Sequence, residues 1–183
     1  MKKIMVIVIF IGLLIVSRNA LAFSFRGIEI GKSLDEQMSK CVEGTFPYPK
    51  MCWIGIMSDP KKNEYSIDGL PSIDIGSNVE VKTIDGKVEC ITMDFSYSNA
   101  DKFLAMLKAK YGEPIIEKSV IKNRMGTSFD KITATWKIED CELIFTDKFN
   151  RIDSGILLIL SKKYKAIWNA KEEKTIKEAA DKL

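Results

Sequence analysis

Between Val88 and Leu160 the apolar residues keep a period of two, switch to a helical period, and then return to a period of two. The order is strand Val88–Tyr97, helix Asn99–Tyr111, then strands Ile115–Ile121, Lys131–Ile138, Cys141–Thr146 and Gly155–Leu160. Few arrangements bury the apolar faces of one helix and several short strands together. The expected fold class is α+β: an antiparallel β-sheet with one or two helices packed on one face, tied by disulfides, plus a C-terminal helix. In the central helix Phe103, Leu104, Leu107 and Tyr111 share one face. Ser98 or Asn99 can cap its start, Asp101 suits the positive end of its dipole, and Gly112 and Pro114 end it. In Lys131–Ile138, Ile132, Ala134, Trp136 and Ile138 alternate with Lys131, Thr133, Thr135 and Lys137, as in a half-buried strand. Glu139-Asp140 reads as a tight turn into Cys141, and Ile84-Asp85-Gly86-Lys87 as a type I′ hairpin.

The first 22 residues read as a separate unit. Lys2 and Lys3 precede the apolar run Ile4–Val16, and Ala20-Leu21-Ala22 matches an A-x-A cleavage pattern. Thirteen apolar residues are short of the roughly 20 that span a bilayer. The expectation is a bacterial export signal cleaved before Phe23, and a mature protein in the periplasm or secreted, without stable membrane insertion. The segment carries Lys2, Lys3 and Arg18 and no acid, so the remainder has 28 − 3 = 25 basic residues against 25 acidic ones. A balance near zero gives no electrostatic footprint for nucleic acid.

The organisation expected is 1–22 as signal, 23–164 as an α+β domain, and 165–183 as a solvated C-terminal helix docked at its start through Trp168. Within the domain, 23–84 and 85–164 read as two degenerate halves, each a capped helix followed by strands. In the first half the helix is Ser33–Cys41, with Ser33-Leu34-Asp35-Glu36 as a capping box and Leu34, Met38 and Cys41 or Val42 facing inward. Phe23-Ser24-Phe25 reads as a short strand or extended arm. Residues 43–78 hold four of the chain's five prolines; short strands are expected near Cys52–Met57, Glu64–Ile67 and Ser72–Ile75, with turns at Ser58-Asp59-Pro60 and Asp68-Gly69. The four cysteines of an exported chain read as two disulfides; three pairings are possible, of which Cys41–Cys52 with Cys90–Cys141 is favoured.

Absences bound the chemistry. With no histidine there is no Ser-His or Cys-His nucleophile pair and no His-ligated metal. Gly31-Lys32-Ser33 resembles the end of a phosphate-binding loop, but Arg26 stands where its first glycine belongs. Asp147–Asp153 has the oxygen spacing of a calcium loop with Phe149 at a ligand position, and reads better as a connection between strands. Asp94 and Asp74, flanked by apolar residues, are the acids a glycosidase-type mechanism would use; as strand residues they belong on a wet face. No catalytic residue, metal site or cofactor is expected.

What remains is contact chemistry. Cys41–Trp53 and the polar loop Asn123–Phe129 are rich in residues that anchor interfaces, and Tyr48, Trp53, Arg124, Met125 and Phe129 are the candidate binding residues. Gly27-x3-Gly31-x-Ser33-x2-Glu36 and the closing Lys110-Tyr111-Gly112-Glu113-Pro114 resemble small bacterial envelope modules of the SmpA/OmlA (BamE-like) kind. Their layout, helices on an antiparallel sheet, recurs in tandem in the beta-lactamase-inhibitor-protein fold. The resemblance implies protein binding rather than catalysis. The expected function is a non-enzymatic periplasmic protein-binding module, an envelope-assembly accessory or an inhibitor or immunity-type protein, whose partner is another envelope or exported protein. Two other readings are a carboxylate-dependent hydrolase of cell-wall or glycan material and a carrier of a small apolar ligand between sheet and helix.

Overall fold

A computed structural model of the chain describes residues 23–56, 63–75, 78–123 and 125–181. The segment 1–22 read as an export signal, the turn expected at Ser58-Asp59-Pro60, and Arg124 lie outside the described residues. The fold is α+β. A short hairpin of β1 (Ser24–Phe25) and β2 (Ile28–Glu29) leads through α1 (Leu34–Gln37) into a nine-stranded sheet. Its strands are β3 (Ser39–Lys40), β4 (Cys52–Gly55), β5 (Glu64–Asp68), β6 (Val79–Ile84), β7 (Lys87–Ser96), β8 (Ile115–Lys122), β9 (Ser128–Ile138), β10 (Cys141–Thr146) and β11 (Ser154–Ser161). Helix α2 (Ala100–Tyr111) connects β7 to β8, and α3 (Lys162–Ala180) follows β11. The sheet order is β3-β4-β5-β6-β7-β11-β10-β9-β8, antiparallel except for the β3–β4 pair. The sheet is continuous across residue 84: β6 and β7 pair through a hairpin whose Asp85 and Gly86 have φ of 54° and 76°, the geometry a type I′ turn demands.

One face of this sheet is the core. Across it runs the lateral row Trp53, Ile67, Val79, Met93, Leu157, Phe145, Ala134 and Ile116, each residue directly opposite the next. From Ile67 to Ala134 every member is buried. The cover comes from α2 through Phe103 and Leu107, and from the N-terminal segment through Phe25, Ile28, Leu34 and Met38. Phe103 meets Phe95 and Phe145 edge-on, with ring centroids 5.1 and 6.1 Å apart. Trp136 Nε1 donates to the Gly112 carbonyl at 2.7 Å and locks the C-terminus of α2 to β9.

Several local expectations are corrected. The helix at Ser33–Cys41 stops at Gln37: Met38 is extended, the Cys41 N–H donates to the Trp53 carbonyl at 2.9 Å, and β3 joins the sheet instead. Ser33 makes no side-chain cap; Gln37 braces the turn by exchanging hydrogen bonds with the Glu29 backbone at 2.6 and 3.0 Å. Asn99 does not cap α2 but donates to the Ile75 carbonyl at 2.9 Å, across the chain. Ser72–Ile75 forms no strand, and Asp74 has a φ of 53°. The C-terminal helix begins at Lys162 rather than 165, capped by Ser161, whose hydroxyl accepts the Tyr164 N–H.

The disulfide Cys41–Cys52 forms, with Cα atoms 5.0 Å apart. Cys90–Cys141 does not: both are free and buried. Cys90 lies opposite Leu160 of β11, and Cys141 opposite Ser161 on the other side of that strand. One whole strand separates them, about 10 Å at two inter-strand steps. The parity of the register also sends their side chains to opposite faces, Cys141 into the core. No rotamer bridges that gap.

Candidate functional site

The second face of the sheet is built differently. One residue along from the buried row runs another: Ile54, Ser66, Glu80, Thr92, Leu158, Ile144, Thr135 and Ile115, again each opposite the next. No member is buried. Seven inter-strand steps make it roughly 34 Å long. It mixes branched aliphatic side chains with small hydroxyls, and its only charge is Glu80. Among the described residues this face is approached at one end by the first turn of α3, where Lys165 pairs with Glu142. At the other end the 147–153 loop shares a cleft with Ile121 and Lys131. The strip between them is open.

Two acids flank its middle. Burial raises the Glu80 carboxyl above its usual range; the like charges of Asp94 and Glu64 add to this, and Lys82 opposes it. Burial alone raises Asp94. Lys82 is already engaged with Glu64 at 2.8 Å. Raised carboxyls favour folding while protonated, so their contribution is complete in acid and is lost as pH climbs through the folded-state values. Glu80→Gln should therefore stabilise the protein at neutral pH and leave it unchanged near pH 3. The gain should stay under about 1 kcal/mol, because the group is largely solvated. Thermal melts at the two pH values check this.

The residues expected to bind fall at two distant places. Tyr48 sits half-buried in the disulfide-closed loop at the β3–β4 edge, its ring 6.2 Å from that of Phe46, which is 86% exposed. Trp53 points to the covered face, edge-on to Tyr65 at 5.1 Å, with its indole N–H buried and unpartnered. At the opposite side, Met125 at the β8–β9 hairpin tip is 87% exposed, and Phe129 is half-buried on β9. From β4 to β9 is six strand steps, about 29 Å, so these residues do not form one patch. Asp94 lies on the open face, while Asp74 lies in the connection before β6.

The Asp147–Asp153 segment is a connection between strands. Asp147 is buried and both its oxygens are taken, one by the Ile132 N–H at 2.8 Å and the other by Lys148 at 2.8 Å. Among the described residues no three acidic or cysteine side chains cluster as metal ligands do. No described helix is long and apolar enough to cross a membrane. Comparison with family models, curated proteins and solved structures finds no match.

Sequence reasoning missed Thr92, Ile144 and Leu158. The run Gly155-Ile-Leu-Leu-Ile-Leu160 is apolar at every position, so it carries no alternation from which an open face could be read.

Proposed function

We propose that this chain is an exported, non-enzymatic protein-binding module of the bacterial periplasm, an envelope-assembly accessory or an inhibitor-type protein, and that it binds its partner on the open sheet face. The observation that carries the reading is the unburied row from Ile54 to Ile115. A rigid, mostly uncharged strip whose centre is Leu158, Ile144 and Thr92 has the composition of an interface core, where charges are depleted. It is pre-ordered by the sheet, so little side-chain entropy is lost on docking. Export is supported by the Cys41–Cys52 bond, which persists in oxidising compartments.

The test is a pull-down from an envelope extract with Leu158→Arg and Ile144→Glu, both at partly exposed positions, beside Met106→Lys on the solvent side of α2. Folded row variants should lose partners that the α2 variant keeps. Identical partner sets would sink the reading. The Glu80–Asp94 pair with raised carboxyls favours the hydrolase as second reading. It predicts release of soluble sugar from cell-wall material, abolished by Asp94→Asn.

A further inference from the structure

The two ends of the nine-stranded sheet are finished differently. At one end β3 is two residues long and runs into the disulfide-closed loop with Pro47 and Pro49, which blunts that edge. At the other end β8 is a full edge strand. All eight of its residues pair with β9 in one unbroken register, from Ile115 opposite Thr135 to Lys122 opposite Ser128. It contains no proline. A strand paired on one side only keeps the outward N–H and C=O groups of alternate residues free. Its side chains are uncovered on both faces of the sheet: Ile115, Ile116 and Val120 are 56%, 42% and 61% exposed. Register parity assigns the faces. Ile116 opposes the buried Ala134, so Ile116, Lys118, Val120 and Lys122 lie on the core side, and Ile115, Glu117, Ser119 and Ile121 on the open side. Charge divides along the same line. On the open side Glu117 stands diagonal to Lys131. On the core side Asp130, opposite Val120, stands diagonal to both Lys118 and Lys122, so that side of β8 and its β9 neighbours keeps one positive charge in surplus.

We propose that β8 is a docking edge, which adds an antiparallel strand from a partner protein, with acids opposite Lys118 and Lys122 and apolar residues opposite Ile116 and Val120. The inference goes beyond the open-face reading and does not depend on it. In such strand addition the backbone hydrogen bonds supply affinity and alternate side chains supply selectivity. The charge pattern decides the occupant. A second copy paired antiparallel along β8, core sides continuous, would bring the lysines of one copy beside those of the other. Glu117 lies on the opposite face in both copies and could not answer them. Like charges across a strand pair are destabilising. Lys118 thus guards the edge against self-pairing and at the same time selects an acidic strand.

The probe is the fluorescein-labelled octapeptide Glu-Thr-Val-Thr-Glu-Thr-Val-Thr. Laid antiparallel on β8, it sets its glutamates opposite Lys122 and Lys118 and its valines opposite Val120 and Ile116. Anisotropy with the full-length protein should show binding, at least tenfold weaker when lysines replace the two glutamates. Lys118→Glu with Lys122→Glu should reverse that preference, whereas Lys171→Gln with Lys174→Gln on α3 should change nothing. Lys118 and Lys122 are exposed, so the reversed variant keeps the fold, which circular dichroism checks. N-methylation of one alternate set of peptide amides should abolish binding, and of the other set leave it intact. Hydrogen exchange should slow on binding within residues 115–122 alone. Absence of binding, equal binding of the lysine peptide, tolerance of both N-methylated forms, or protection outside β8 overturns the proposal. So does a dimer of the protein alone that Val120→Lys dissociates, because a second copy then occupies the edge.

Discussion

Replacing Phe145 with alanine is expected to cost about 3–5 kcal/mol, the range for truncating a buried aromatic. Phe145 is 1% exposed and stands in the middle of the buried row, between Leu157 and Ala134. Its ring stacks on Phe95 at 5.1 Å with planes 15° apart, and Phe103 of α2 closes the third side. The neighbourhood cannot collapse into the space left behind. Phe95 is itself seated over Gly155, its direct partner on β11, where any Cβ would overlap the ring and lie 2.8 Å from the Thr146 carbonyl. The cavity therefore stays, and the cavity term adds to the transfer term. For a domain of this size each kcal/mol shifts the melting point by about 2–4 °C, so a fall of roughly 10 °C is expected. Denaturant unfolding should show a lower midpoint at an unchanged slope. Phe145→Leu, which keeps most of the volume, should lose much less. A cost below about 1 kcal/mol for the alanine variant would mean that α2 and the sheet do not share this core.

The parts legible in the sequence are those where one periodic pattern dominates. Lys131–Ile138 alternates cleanly because β9 has one face on the core and one on the open side, and Ala134 and Trp136 are buried as the alternation requires. Phe103 and Leu107 mark the buried face of α2 for the same reason. Strand order was not legible, and with it went the second disulfide. An even cysteine count suggests pairing, but whether Cys90 and Cys141 can meet depends on β11 entering the sheet between them and on register parity. Neither has a local signature. The residues Ser33–Glu36 spell a capping box whose side-chain cap does not form, and a helix continuing to Cys41 would forfeit the β3–β4 pairing and the bond to Cys52. The open row was hidden for a related reason. Its members belong to eight strands, and each is recognisable only once its lateral neighbours are known.

The Cys41–Cys52 bond is the other place where one change should have a large effect. Cys41→Ser with Cys52→Ser is expected to remove about 2–3 kcal/mol on the chain-entropy model for a loop with this separation of 11 residues. The loss falls on a weak corner. β3 is held by only two paired residues, Ser39 opposite Cys52 and Lys40 opposite Trp53, in the sheet's one parallel pair. Without the bond β3 frays, and Met38, buried next to it, loses its cover. β5 to β11 keep their own pairings, so the outcome is a less stable protein with the same sheet. Reducing the wild type should reproduce the double variant, because the remaining cysteines add no second bridge. Cys90 and Cys141 are buried, and burial pushes both thiols up to about 11, so at neutral pH they stay protonated and resist alkylation in the folded state. Unfolded without reductant, protein from an oxidising compartment should titrate two thiols, at Cys90 and Cys141, and four after reduction. Equal stability of oxidised and reduced protein would show that the bond merely decorates an edge already held by packing. A loss confined to the Cys41–Trp53 end, read by hydrogen exchange, would establish it as the clamp that keeps the first sheet edge, and the exposed Phe46 and Tyr48 loop on it, in place.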